Sequence, residues 1–140
     1  MDSPSDVPVL ERIARLDPRS GMRWWAIGQL RSVAETTGSR TARDALLALE
    51  SPLWTQDNLK RWAYEVGSLA NSLPASSRGP ARDKLHSLLT HSDASIRGEA
   101  LAASITLLRR ENTPEIRERL ATAIRAVNDV ASGADVGYRL

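Results

Sequence analysis

The chain has 140 residues, 41% of them hydrophobic and 26% charged, with 19 bases against 17 acids and a formal net charge of +2. That composition fits one globular domain and excludes collagen-like, disordered and disulfide-framework classes. Cysteine is absent, which removes disulfides, thiol catalysis and cysteine-based metal sites. The near balance of charge also argues against a dense basic patch of the kind that grips nucleic acid. There is no Phe, and four Trp and two Tyr are the whole aromatic complement. The core must therefore be built from Ala, Leu, Ile and Val, and the strong helix formers Leu and Ala lean toward an all-α chain.

In chain order, the opening "MDSPSDVPVL" carries two acids and no base. That is the reverse of a secretory or transit signal, and residues 1–8 are expected to be flexible. A helical unit is expected over 9–36. Within it, residues 20–36 set Met22, Ala26, Leu30 and Val33 on one face, with Gly38 as a stop and Ser39 or Thr41 as a restart. A short helix follows at 41–50, ended by Ser51-Pro52, and a long one at 56–73 with Leu59, Ala63, Val66 and Ala70 inward. Together these make a second unit, 41–73. After the loop at 74–79, Pro80 suits the first turn of a helix running to about Thr90. The next helix, 94–110, turns Ile96, Ala100, Ala103 and Leu107 inward, which closes a third unit over 80–110. "NTPE" at 112–115 is a start signal, with Thr113 as cap, Pro114 in the first turn and Glu115 near the positive helix end. It opens a half-repeat, 114–129, with Ile116, Leu120, Ala123, Ile124 and Val127 on one side. Residues 130–140 form a C-terminal tail whose Val130, Val136, Tyr138 and Leu140 are expected to cover the apolar edge, unless another subunit does. No segment alternates with period two, so no strand is expected. The most apolar run, "ALAASITLL" at 100–108, is too short to span a bilayer. The chain is expected to be cytoplasmic, with no membrane partner.

One phrase recurs. "MRWWA" (22–26), "LKRWA" (59–63) and "IRGEA" (96–100) each join a large apolar residue, a base, two variable residues and Ala, at intervals of 37 residues. The shorter helices carry their own phrase: "ARDAL" (42–46), "ARDKL" (81–85) and "IRERL" (116–120). Two helices therefore alternate. Such a pair cannot bury its apolar face alone, and stacked pairs make a continuous core.

These residues resemble the HEAT-repeat family of α-solenoids. The second helix of a HEAT unit opens with an aliphatic residue, Arg, two variable residues and Ala, with Asp-Pro in the turn before it. "LDPRSGMRWWA" (16–26) follows that pattern. "HSDASIRGEA" (91–100) lacks the Pro, and "SPLWTQDNLKRWA" (51–63) has an insertion around Trp54 and Lys60 in place of Arg. The resemblance covers roughly residues 9–129. It implies an all-α, short, right-handed solenoid of about three and a half HEAT-like helix pairs. It also implies that Arg23, Lys60 and Arg97 pair with the turn acids Asp17, Asp57 and Asp93 as a structural ladder. A row of bases gripping an acidic ligand along the concave face is the competing reading.

The function expected is that of a non-enzymatic interaction module, an adaptor or scaffold holding a protein partner on the surface of the second helices. Trp24, Arg31, Arg61 and Glu65 are the candidate contacts, because they lie away from the Met22/Ala26 and Leu59/Ala63 seams. Trp is enriched in binding hot spots. Trp25 and Trp62, at equivalent repeat positions, are expected to fill the core. Two other readings stand beside this one. Nucleic-acid binding on a basic concave face is one, since HEAT-like arrays include DNA glycosylases; a self-associating structural subunit is the other. No catalytic motif is recognisable, and no cofactor is expected. His86 and His91, five residues apart, do not share a helical face, so no metal site is expected either.

Overall fold

The computed structural model describes the backbone of residues 2–139 and the side chains of residues 2–126. The described chain is all-helical, without strands. Its α-helices are α1 (Val7–Leu16), α2 (Ser20–Thr37), α3 (Arg40–Leu47), α4 (Gln56–Ser72), α5 (Gly79–Leu88), α6 (Ala94–Arg110) and α7 (Pro114–Arg139). Short and long helices alternate along the first six. The long ones form a row, α2 on α4 and α4 on α6, while α1, α3 and α5 follow one another behind it, each against long helices. α7 packs on α6. No helix among the described residues is long and apolar enough to cross a membrane.

The core lies between the two rows. Leu10, Leu46 and Leu85 of the short helices meet Ile27, Leu30, Trp62, Val66, Leu69, Ile96 and Leu107 of the long ones. The alanines that recur every 37 positions turn inward, Ala26, Ala63 and Ala100 being fully buried. Small side chains there let helices of adjacent rows approach closely. In α7, Ile116, Leu120 and Ala123 are buried while Ile124 is exposed.

Several helix ends have a local cause. Ser39 caps α3, and Thr55 caps α4 through a reciprocal pair of bonds with Asn58. Asp93 caps α6 by accepting from the amides of Ser95 and Ile96. Gly38 ends α2 with φ of 70°, the left-handed conformation that glycine adopts without penalty. The insertion between α3 and α4 closes the end of α1. Trp54 Nε1 donates to the Ala14 carbonyl at 2.8 Å, and Ser51 Oγ to that of Arg15 at 2.8 Å. Both satisfy carbonyls that a helix C-terminus leaves without an intrahelical donor. Trp54 then packs on Trp62, ring centroids 5.6 Å apart, and Trp62 Nε1 donates to the Leu46 carbonyl. At the other end of α4, Arg78 donates from Nε and Nη2 to the Leu73 carbonyl and from Nη1 to Glu111, tying the α4–α5 loop to the end of α6.

Some boundaries differ from expectation. The first helix starts at Val7, not residue 9, and residues before it form a 3-10 turn, Pro4–Asp6, capped by Ser3. Val7, within the segment 1–8, has its side chain buried. α7 continues past residue 129 to Arg139. The expected packing of Val130, Val136, Tyr138 and Leu140 lies outside the residues whose side chains are described.

α4 and α6 touch where neither has bulk. A Cβ on Gly67 would lie 2.5 Å from that of Ala103, and Asn71 Nδ2 bridges the carbonyls of Gly67 and Ala103 at 3.0 and 3.1 Å. Replacing a helical glycine by alanine ordinarily stabilises by about 1 kcal/mol. Here the sign should reverse: Gly67→Ala is expected to destabilise by about 1–3 kcal/mol in urea unfolding, and Ala103→Gly in the same chain to recover most of the loss.

Candidate functional site

The repeated bases do not pair with the turn carboxylates. Arg23 Nη1 donates to the backbone carbonyl of Asp17 at 2.6 Å, and Arg97 Nη1 to that of His91 at 2.7 Å and Ser92 at 2.9 Å. In both repeats the acceptor is the carbonyl six residues upstream. The base closes the turn between short and long helix by satisfying backbone. Asp17 is engaged instead by Arg19, whose side-chain and backbone hydrogen bonds hold the carboxyl below its usual range. Asp93 accepts from Gln56 Nε2 of α4 at 3.1 Å, besides capping α6, and the Gln56 hydrogen bond is the leading cause of its lowered pKa. Lys60 departs from the pattern. It stands exposed beside an exposed Asp57, because the Trp54 insertion remakes the turn that Arg23 and Arg97 close.

Arg23 makes a second bond that crosses the row. Its Nε donates to Asn58 Oδ1 at 3.1 Å, and Asn58 Nδ2 donates to the Ser20 carbonyl at 3.1 Å. Asn58 is fully buried with both ends of its amide used, as a buried polar group requires. It locks the first turns of α2 and α4 together.

One turn further along, Trp24, Arg31, Arg61 and Glu65 come together at the same α2–α4 seam. Glu65 is 1% exposed. Its Oε2 takes Arg31 Nε at 2.5 Å and its Oε1 takes Arg61 Nη1 at 3.2 Å. Arg31 also pairs with Glu35. Burial works against the Arg31 charge, but hydrogen bonds to Glu65 and Glu35 outweigh it and hold the guanidinium above its ordinary pKa. Arg61 lies over the Trp24 ring, 3.8 Å from its centroid. Gly28 makes that position possible, since a Cβ there would lie 2.2 Å from Arg61 Nη2. Glu65, expected as a contact, is buried beneath the two arginines it holds. Trp24 remains 44% exposed.

A groove of about 470 Å³ opens above this cluster, lined by Ser20, Gly21, Trp24, Asp57, Lys60, Arg61, Tyr64 and Glu99. Tyr64 is 56% exposed. Tyr64 and Glu99 also border a depression of about 220 Å³ floored by Gly67 and Ala103, so the concavity runs from α2 across α4 to α6. Tyr64 and Glu99 were not singled out from sequence. The available signal was periodic: Asp57, Lys60, Tyr64, Ser68 and Asn71 recur at three- and four-residue steps along one face of α4.

The tryptophans divide by position. Trp62 is core, Trp25 is partly buried against the core, and Trp54 is an inserted cap. The histidines sit apart. His91 Nδ1 accepts from the Asp93 amide at 3.0 Å. His86 Nδ1 lies 2.7 Å from Arg119 Nη1, and burial first, then Arg119 and Arg82, lower its pKa. No group of three potential metal ligands occurs among the described residues.

Comparisons with protein families, with curated proteins and with solved structures give no match for this chain.

Removing the Glu65 carboxylate leaves two guanidinia without their shared counter-charge. Breaking a fully buried pair costs about 3–5 kcal/mol, and both arginines here keep part of their water, so Glu65→Ala should cost about 2–3 kcal/mol in urea unfolding. Trp24→Ala forfeits an exposed cation–π contact and should cost less than about 1 kcal/mol. Equal losses in the two variants would contradict this division between a buried clamp and an exposed ring.

Proposed function

We propose that the chain is a non-enzymatic interaction module, a cytoplasmic adaptor or scaffold that holds a protein partner on the surface of α2, α4 and α6. The architecture in this reading is a short right-handed α-solenoid of about three and a half HEAT-like pairs. It is supported by the alternation of short and long helices in two rows and by the matching turn-closing bonds of Arg23 and Arg97. The observation that carries the function is the clamped aromatic. Trp24 is exposed, yet Arg61 fixes its ring, and Arg61 is fixed by a buried carboxylate. A side chain immobilised before binding loses little freedom on contact, which favours affinity.

The groove's charges favour protein over nucleic acid. Asp57 and Glu99 stand against Lys60 and Arg61, and Arg61 is neutralised by Glu65. A phosphate backbone requires an excess of bases.

Capture from native lysate on immobilised wild-type chain, beside Trp24→Ala and Tyr64→Ala, tests the proposal. A protein held by wild type should bind each variant at least tenfold more weakly, about 1.4 kcal/mol, with melting temperatures little changed. Duplex DNA bound tightly at low salt and released steeply as salt rises would contradict it. Concentration-dependent growth in light scattering, abolished by the same variants, would assign the face to self-association.

A further inference from the structure

We infer that the groove across α2, α4 and α6 takes an extended protein segment carrying an arginine or lysine side chain. This rests on the reading of that face as a protein-binding surface and specifies what it binds.

The inference follows from which polar groups on this face are engaged and which are not. Several donors are engaged. Arg61 is bound to Glu65 through Nη1 and stacked on Trp24, while its Nε is buried without a partner. Asn71 Nδ2 serves two carbonyls, and Arg110 Nη1 donates to the Asn71 carbonyl. Two carboxylates are free. Asp57 and Glu99 line the groove and take part in no ion pair among the described residues. Lys60 is the groove's one base outside an ion pair among the described residues, and it stands exposed. Of the groove's two bases and two acids, Arg61 is already paired with Glu65 beneath the groove, which leaves Lys60 against Asp57 and Glu99.

The aromatic groups point the same way. Tyr64 and Trp24 offer exposed ring surface beside these carboxylates, and an arginine or lysine side chain stacks its apolar stem on a ring while its charge meets an acid. Shape selects an extended segment over a single protruding side chain, because the groove and the adjoining depression share Tyr64 and Glu99 and cross three helices. Attraction between partly solvated charges is screened by salt, so such binding weakens as ionic strength rises.

The probe is a displayed library of random linear peptides selected against the full-length chain, with affinities then measured for the wild type and for Trp24→Ala, Asp57→Asn, Glu99→Gln and Lys60→Ala. Circular dichroism melting confirms that each variant folds. The expected peptides are enriched in Arg or Lys. They should lose about tenfold or more in affinity on Trp24→Ala and on at least one of Asp57→Asn and Glu99→Gln, and keep or gain affinity on Lys60→Ala. Glu99→Lys should weaken the same peptides further. Trp24-dependent peptides enriched in Asp or Glu, or uncharged, would overturn this inference and leave the interaction surface standing. Recovery of no Trp24-dependent peptide would overturn both.

Discussion

The seam between α2 and α4 depends on a carboxylate that water does not reach. Glu65 is buried beneath two guanidinia, one from each helix. A lone buried carboxylate is costly, and a paired one fixes its partners in place because any departure leaves the charge uncompensated. Arg31 thereby ties α2 to α4. Arg61 is held where it covers Trp24. The guanidinium over the exposed ring is itself bound to that buried charge.

Backbone proximity makes this geometry possible. Gly28 admits the Arg61 guanidinium at the α2–α4 seam, and Gly67 admits Ala103 at the α4–α6 seam. At the first turns, Asn58 and Gln56 serve the equivalent purpose by hydrogen bonding, one reaching back to Arg23 and Ser20, the other forward to Asp93. The long helices thus form one surface stitched at both seams. A groove spanning three helices can keep its shape only on such a support.

Much of this was legible in the sequence, for identifiable reasons. The 37-residue interval marked the long helices because each copy returns Ala to the same buried contact, and Ala26, Ala63 and Ala100 all lie there. The arginines of the phrase were legible as a repeated feature, but their acceptors were not. A carbonyl six residues upstream has no side-chain signature, whereas the nearby aspartates invited pairing. Trp24, Arg31, Arg61 and Glu65 could be placed on one side of their helices by periodicity. That Glu65 lies under the arginines depends on how closely α2 approaches α4, which Gly28 sets and periodicity does not express. The insertion at Trp54 broke the repeat in sequence. Its role as a cap on α1 is a contact across 40 residues, visible only once the rows are stacked.

The most direct test of a preformed binding face on α2, α4 and α6 is an amide and indole NMR titration with a short arginine-bearing peptide. The Trp24 indole signal and the amides of Tyr64 and Glu99 should move together and saturate at one concentration. The indole signals of Trp54 and Trp62, bonded to the carbonyls of Ala14 and Leu46, should stay where they are. Shifts centred on His86 and Arg119 between α5 and α7, with Trp24 unmoved, would contradict the assignment of the face.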